Sequence, residues 1–88
     1  MIRRRVVVHG FVQGVYFRDT ARRHAQRHGL AGWVTNRGDG TVVAVFEGEA
    51  GAVERLVELM HEGPRGSVVQ RVEVFDEEPE RLTGFDIR

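Results

Sequence analysis

The chain has 88 residues, 13 of them basic and 13 acidic, for a formal net charge of zero with histidine neutral, and it has no cysteine. A chain this short forms one domain over residues 1–88 with a thin core, burying roughly 60 to 65% of the surface its unfolded form exposes. Without cysteine there are no disulfides or thiolate metal sites, and because every basic residue is arginine, lysine-dependent Schiff-base chemistry is excluded as well.

Charge is unevenly spread. Residues 1–37 carry eight arginines against the single acid Asp19, whereas residues 38–88 carry five arginines against twelve acids. The basic half suits attraction of a small anion, while a zero net charge lacks the broad basic excess of a nucleic-acid footprint. Arg3-Arg4-Arg5 followed by Val6-Val7-Val8 is far short of a signal-peptide apolar region, and no apolar run is long enough to span a membrane. The expectation is a cytoplasmic protein with no membrane partner.

Arg3 to His9 alternates as a strand, with Val6 and Val8 on one face and Arg5, Val7 and His9 on the other. It runs into Gly10-Phe11-Val12-Gln13-Gly14-Val15, after which Phe17, Ala21 and Ala25 recur every four residues among arginines, the stripe of an amphipathic helix ending near His28-Gly29. Leu30 to Asn36 and Thr41 to Glu47 are β-prone runs around Arg37-Gly38-Asp39-Gly40, a hairpin signal. Val53, Leu56, Val57 and Met60 then mark a second helix, stopped by Gly63-Pro64. Val68 to Phe75 reads as a strand, Asp76-Glu77-Glu78-Pro79-Glu80 as a solvated loop, and Phe85-Asp86-Ile87 as a short final strand.

This order predicts an α+β ferredoxin-like βαββαβ sandwich: a mostly antiparallel sheet, two helices on one face, and a short extra C-terminal strand. In a right-handed crossover the first two strands run parallel with the third between them, so their C-terminal ends lie along one sheet edge. Arg18, just past the first strand, and Asn36, ending the second, are thereby expected in one small volume although eighteen residues separate them.

A glycine turn between strand and helix reads by itself as plain chain reversal. Here it also precedes Arg18 at the start of a helix, where a bare positive charge is unfavourable unless an anion is present. The segment Gly10 to Val15 therefore reads as an anion cradle of backbone N–H groups, with the planar fork of Arg18 matched to phosphate oxygens. No Ser-His-Asp set, paired carboxylates or metal cluster is suggested, which leaves electrostatic catalysis of phosphoryl transfer. Asn36 can hold a water through its carbonyl and NH₂ groups. Such a site favours a good leaving group, as in a mixed carboxylic-phosphoric anhydride, over a phosphate monoester that needs a general acid.

Val8-His9-Gly10-Phe11-Val12-Gln13-Gly14-Val15-Tyr16-Phe17-Arg18 resembles the first acylphosphatase signature, and Gly32-Trp33-Val34-Thr35-Asn36 with Gly40, Val42 and Gly48 resembles the second. The resemblance covers essentially the whole chain. It implies hydrolysis of a small acyl phosphate to a carboxylate and orthophosphate without metal or other cofactor, in a monomer with no nucleic-acid partner. In that family's terms Arg18 is the phosphate-binding arginine, Asn36 positions the water, and Gly10, Phe11, Val12, Gln13, Gly14 and Val15 form the binding loop, with the substrate's own phosphate accepting the water proton. Phe11 and Thr35 depart from the family, which has polar or basic residues at these positions more often; Phe11 is expected at the mouth of the site.

Other residues have plainer readings. His24 and His28 are spaced for a shared metal but lack a third ligand and sit among arginines, so a solvated helix face is the better reading. His9 is left out of the mechanism, and His61 is a helix C-terminal cation. Trp33 and Phe46 are expected in the core and Arg3-Arg4-Arg5 at a solvated strand end. The alternatives sharing this element order are a nucleic-acid-binding module, which would display aromatics on the central strands, and a small-ligand regulatory module, which would need no pairing of Arg18 with Asn36.

Overall fold

Valine alternation in the first strand decides which face of the sheet is covered. In the computed structural model, which describes residues 1–88, the chain forms β1 (Ile2–Phe11), α1 (Phe17–Arg27), β2 (Ala31–Asn36), β3 (Val42–Gly48), α2 (Ala50–Glu62), β4 (Val68–Glu77) and β5 (Phe85–Ile87). The sheet order is β4-β1-β3-β2-β5; every pairing is antiparallel except β2 with β5. This is the expected ferredoxin-like arrangement, with β3 inserted between β1 and β2 and the extra strand at the far edge.

Val6 and Val8 of β1, Val34 of β2, Val42, Ala44 and Phe46 of β3 and Phe85 of β5 face both helices in one cluster. Phe17, Ala21 and Ala25 bring α1 onto the sheet, the two alanines allowing a close approach, and Val53, Leu56 and Met60 bury the inner face of α2. Burying a side chain the size of Leu56 stabilises by about 1.5 to 3 kcal/mol. Phe85 stacks on Phe46 with centroids 5.6 Å apart, which fixes β5 against the core. Glu49 caps α2, accepting from the N–H groups of Gly51 and Ala52 at 2.9 Å, whereas the start of α1 has no side-chain cap.

The opposite face corrects three expectations. Arg3 is buried, its guanidinium bonded to Glu47 at 3.2 Å and Glu77 at 2.9 Å and lying 3.4 Å from Glu80, so it is no solvated strand end. The acidic stretch is not a solvated loop: β4 runs on to Glu77, which also takes Arg5 at 2.8 Å, and the N–H groups of Glu80 and Leu82 donate to the Glu47 carboxylate at 2.8 Å. Trp33 lies outside the core cluster, with the Arg88 guanidinium 4.9 Å from its ring centroid. Alternation explains this, since Val34 takes the inward position next to it.

The Glu47 contacts have a topological reason. β4 and β5 are opposite edges of the sheet, four strand spacings or about 19 Å apart, and residues 78–84 reach at most about 25 Å when fully extended. That crossing has little slack, and Glu47, on the central strand β3, holds it midway. Burial alone would push the Glu47 carboxyl up, but the two backbone N–H groups and Arg3 hold it below the usual carboxylate range.

Candidate active site

The loop between β1 and α1 is shaped by its backbone. A register shift between His9 and Gly10 breaks the pairing of β1 with β4, and Gly10 adopts φ 135°, where an added Cβ would run into the Val68 carbonyl. Val12 is buried in the core and pins the loop, and Gly14 then turns it with φ 73°. Tyr16 follows in the left-handed region with φ 61° and leads into α1.

Curled in this way, the loop leaves its donors unused. Among the backbone hydrogen bonds outside the regular elements, none is donated by Val12, Gln13, Gly14, Val15 or Tyr16, and the first donor of α1 is Thr20, to the Tyr16 carbonyl at 3.0 Å. The N–H groups from Val12 to Asp19 thus precede or open a helix without bonding to a carbonyl, and the helix dipole adds its positive end.

Arg18 and Asn36 meet at this loop. With Val12, Gly14, Tyr16, Phe17, Asp19 and Ile87 they line a cavity of about 380 Å³. Arg18 belongs to no ion pair, because Asp19 turns back along the helix to Arg22 at 3.1 Å and Arg23 at 3.2 Å. Asn36 Oδ1 is the one buried side-chain oxygen in the protein without a hydrogen-bond partner. An unsatisfied acceptor of this kind costs about 1 to 3 kcal/mol, so the position works against stability.

The hairpin fixes where Asn36 sits. Asp39 Oδ1 accepts from the Thr41 N–H at 3.0 Å and its hydroxyl at 2.6 Å, which holds the carboxyl below its usual range and closes the turn. Gln13 crosses from the loop to this turn, its Nε2 donating to the carbonyls of Arg37 at 2.7 Å and Thr41 at 3.0 Å. The side chain of Gln13 therefore ties the loop to the hairpin.

Of the residues singled out in the sequence, Val12, Gly14, Arg18 and Asn36 line this cavity. Gly10 and Phe11 line a second, shallower depression of about 340 Å³ with His9, Asp39, Gly40, Thr41 and Gln70, and Val15 packs against the core. His9 is engaged by Glu73 at 2.7 Å and Arg71 at 3.2 Å. His28 turns Nδ1 to the His24 carbonyl at 2.9 Å, and burial together with Arg27, His28, Arg23 and Arg55 holds His24 below its ordinary range. No group of three or more His, Cys, Asp or Glu side chains is arranged to hold a metal. Sequence reasoning missed Tyr16, Phe17, Asp19 and Ile87 as cavity residues. Ile87 arrives only because β5 pairs in parallel with β2, opposite Val34 and two positions short of Asn36; nothing local in the sequence indicates that register.

A model of the acylphosphatase family matches residues 4–87. The chain belongs to the acylphosphatase family. An acylphosphatase of Rubrobacter xylanophilus is 56% identical over 86 residues, covering 96% of this chain and 77% of its own. Two solved acylphosphatase structures superpose closely. That from Bacillus subtilis has a TM-score of 0.96 at 37% identity, covering 100% of this chain and 99% of its own; that from Coxiella burnetii has 0.95 at 36% identity, covering 99% and 92%. The acylphosphatase loop and hairpin of this chain both fall inside the matched range.

Proposed function

We propose that this chain is a cytoplasmic, monomeric, single-domain acylphosphatase that hydrolyses the carboxyl-phosphate bond of small acyl phosphates by in-line attack of water, without a metal or other cofactor. Family membership carries the enzyme class, a hydrolase acting on acid anhydrides. The observation that carries the mechanism is the cavity shared by an unpaired guanidinium and an unpartnered carboxamide oxygen beside a run of free backbone donors.

In this reading the free N–H groups of Val12 to Val15, the part of the Gly10 to Val15 loop beyond β1, and the fork of Arg18 hold the phosphoryl oxygens and neutralise the charge they carry in a loose transition state. The Asn36 carboxamide, in the cavity wall, holds the attacking water and aligns it opposite the leaving carboxylate. The carboxylate departs without general-acid help, and the phosphate itself takes the water proton. That division of labour suits a cavity whose only carboxylate, Asp19, is engaged by two arginines.

The nucleic-acid-binding alternative is not favoured. β1 and β3 carry Arg5, Val7, Val43 and Val45 on the helix-free face, and the rings nearby, Trp33 and Phe75, lie beneath Arg88 and Arg5 of the same chain. A small-ligand regulatory module would have no use for the Arg18 and Asn36 pairing.

The test is turnover of benzoyl phosphate in ¹⁸O-labelled water, with and without EDTA. Label in orthophosphate and a rate indifferent to the chelator are expected. Label in benzoate, no turnover, or loss of turnover with EDTA would refute the reading.

A further inference from the structure

The four apolar residues of the cavity divide by exposure. Val12 and Phe17 are 1% and 2% exposed and belong to the core, whereas Tyr16 and Ile87 are 82% and 37% exposed. Neither of the latter two is part of the hydrophobic cluster or of the apolar residues packed against it.

Tyr16 is costly where it stands. It is one of two non-glycine residues with positive φ, a region in which an L-residue is strained. It also occupies the N-cap of α1 without supplying a capping bond, a position where Gly, Asn or Ser is preferred. Folding gains nothing evident from a large aromatic there. Ile87 approaches the same cavity from a strand 71 positions further along, a second large apolar side chain in contact with water.

We infer that Tyr16 and Ile87 form the subsite for the organic part of the substrate and select acyl phosphates whose acyl group is aromatic or bulky and aliphatic over small ones. The inference rests on the acyl-phosphate reading above. With the phosphoryl group held by backbone donors and Arg18, the bridging oxygen and acyl carbon leave it away from the attacking water, and the substituent emerges at the cavity rim. An aromatic ring there stacks or packs edge-on against Tyr16 and covers the exposed flank of Ile87. An acetyl group is too small to reach both.

The experiment compares kcat/KM for benzoyl phosphate and acetyl phosphate in the wild type, Tyr16→Gly, Ile87→Ser and the double variant. Taking the ratio within each enzyme cancels any general loss of phosphoryl-transfer efficiency. Glycine at position 16 suits the left-handed backbone and the N-cap, so folding is retained and is checked by Tm. The ratio of benzoyl to acetyl phosphate is expected to fall about tenfold in each single variant and further in the double, through a higher KM for benzoyl phosphate. A ratio in the double variant within about twofold of the wild type overturns the subsite, whatever the absolute rates. A wild type inactive on both substrates would instead overturn the acyl-phosphate reading itself.

Discussion

Gln13 reaches out of the anion loop to donate to the Thr41 carbonyl at 3.0 Å, so the two segments that carry Arg18 and Asn36 are held together by one side chain. A second bond from the same nitrogen goes to the Arg37 carbonyl at 2.7 Å. Gln13→Ala is expected to lower kcat about 10- to 100-fold by loosening this spacing, with a stability loss of about 1 to 2 kcal/mol. Gln13→Glu is expected to be worse on both counts, because a carboxylate cannot donate and would face two carbonyl oxygens. Steady-state kinetics and thermal melts of the pair check this; equal behaviour of Ala and Glu would remove the positioning role.

Arg18 and Asn36 separate activity from stability. Each alanine variant is expected to lose about 3 kcal/mol of transition-state stabilisation, on the order of a hundredfold or more in kcat. Arg18 has no ion pair to lose, so Arg18→Ala is expected to melt within about 0.5 kcal/mol of the wild type. Asn36→Ala removes an unsatisfied buried oxygen, and its Tm is expected to equal or exceed the parent's. Near-wild-type rates in either variant contradict the assigned roles.

Orthophosphate, as product, is expected to inhibit competitively and to raise Tm. At about 100 times its Kd the stabilisation is about 2.7 kcal/mol. Differential scanning calorimetry across a phosphate series, repeated on Arg18→Ala, checks the site: the shift is expected to shrink sharply in the variant, and an undiminished shift would place the anion elsewhere.

The ion network on the far face predicts the acid limit. Hydrogen bonds from Arg3 and Arg5 hold Glu77 low, and Glu47 is held low against its burial. A folded-state pKa below the unfolded value, roughly 4.3 for glutamate, contributes stability that is complete above that pH and is lost as pH falls through the folded value. His24 adds a loss that begins higher, as pH drops below about 6.5, because its folded form resists protonation. Glu47→Gln is expected to cost about 3 kcal/mol at pH 7 and to flatten the limb below about pH 4.5. Unfolding free energies measured from pH 3 to 8 test this; a variant limb as steep as the wild type's would exclude Glu47 as its source.

Local pattern made much of this molecule legible. The Phe17, Ala21 and Ala25 stripe, the Val53 to Met60 helix and the strand alternation of Val6 and Val8 each sit as their periodicity requires, and the handed crossover brings Asn36 to Arg18. What the chain does not spell out locally is pairing at long range. Arg3 meets Glu47 and Glu77 at separations of 44 and 74 residues, so a run of arginines and a run of acids each looked solvated when read alone. The φ of Tyr16 was hidden for a different reason, since tyrosine carries no preference for the left-handed region and only the surrounding fold imposes it.

In the proposed mechanism the grip on the anion is made largely of main-chain hydrogens, and this affects how the protein can change over evolutionary time. An exposed side chain such as that of Tyr16 is free to drift, because altering it leaves those hydrogens where they are. Erasing the grip takes a residue that lacks an N–H, such as proline, or one that cannot tolerate the 73° φ of Gly14. Heredity acts here on a curve of backbone, with the letters along it left as room for adjusting which molecules are accepted.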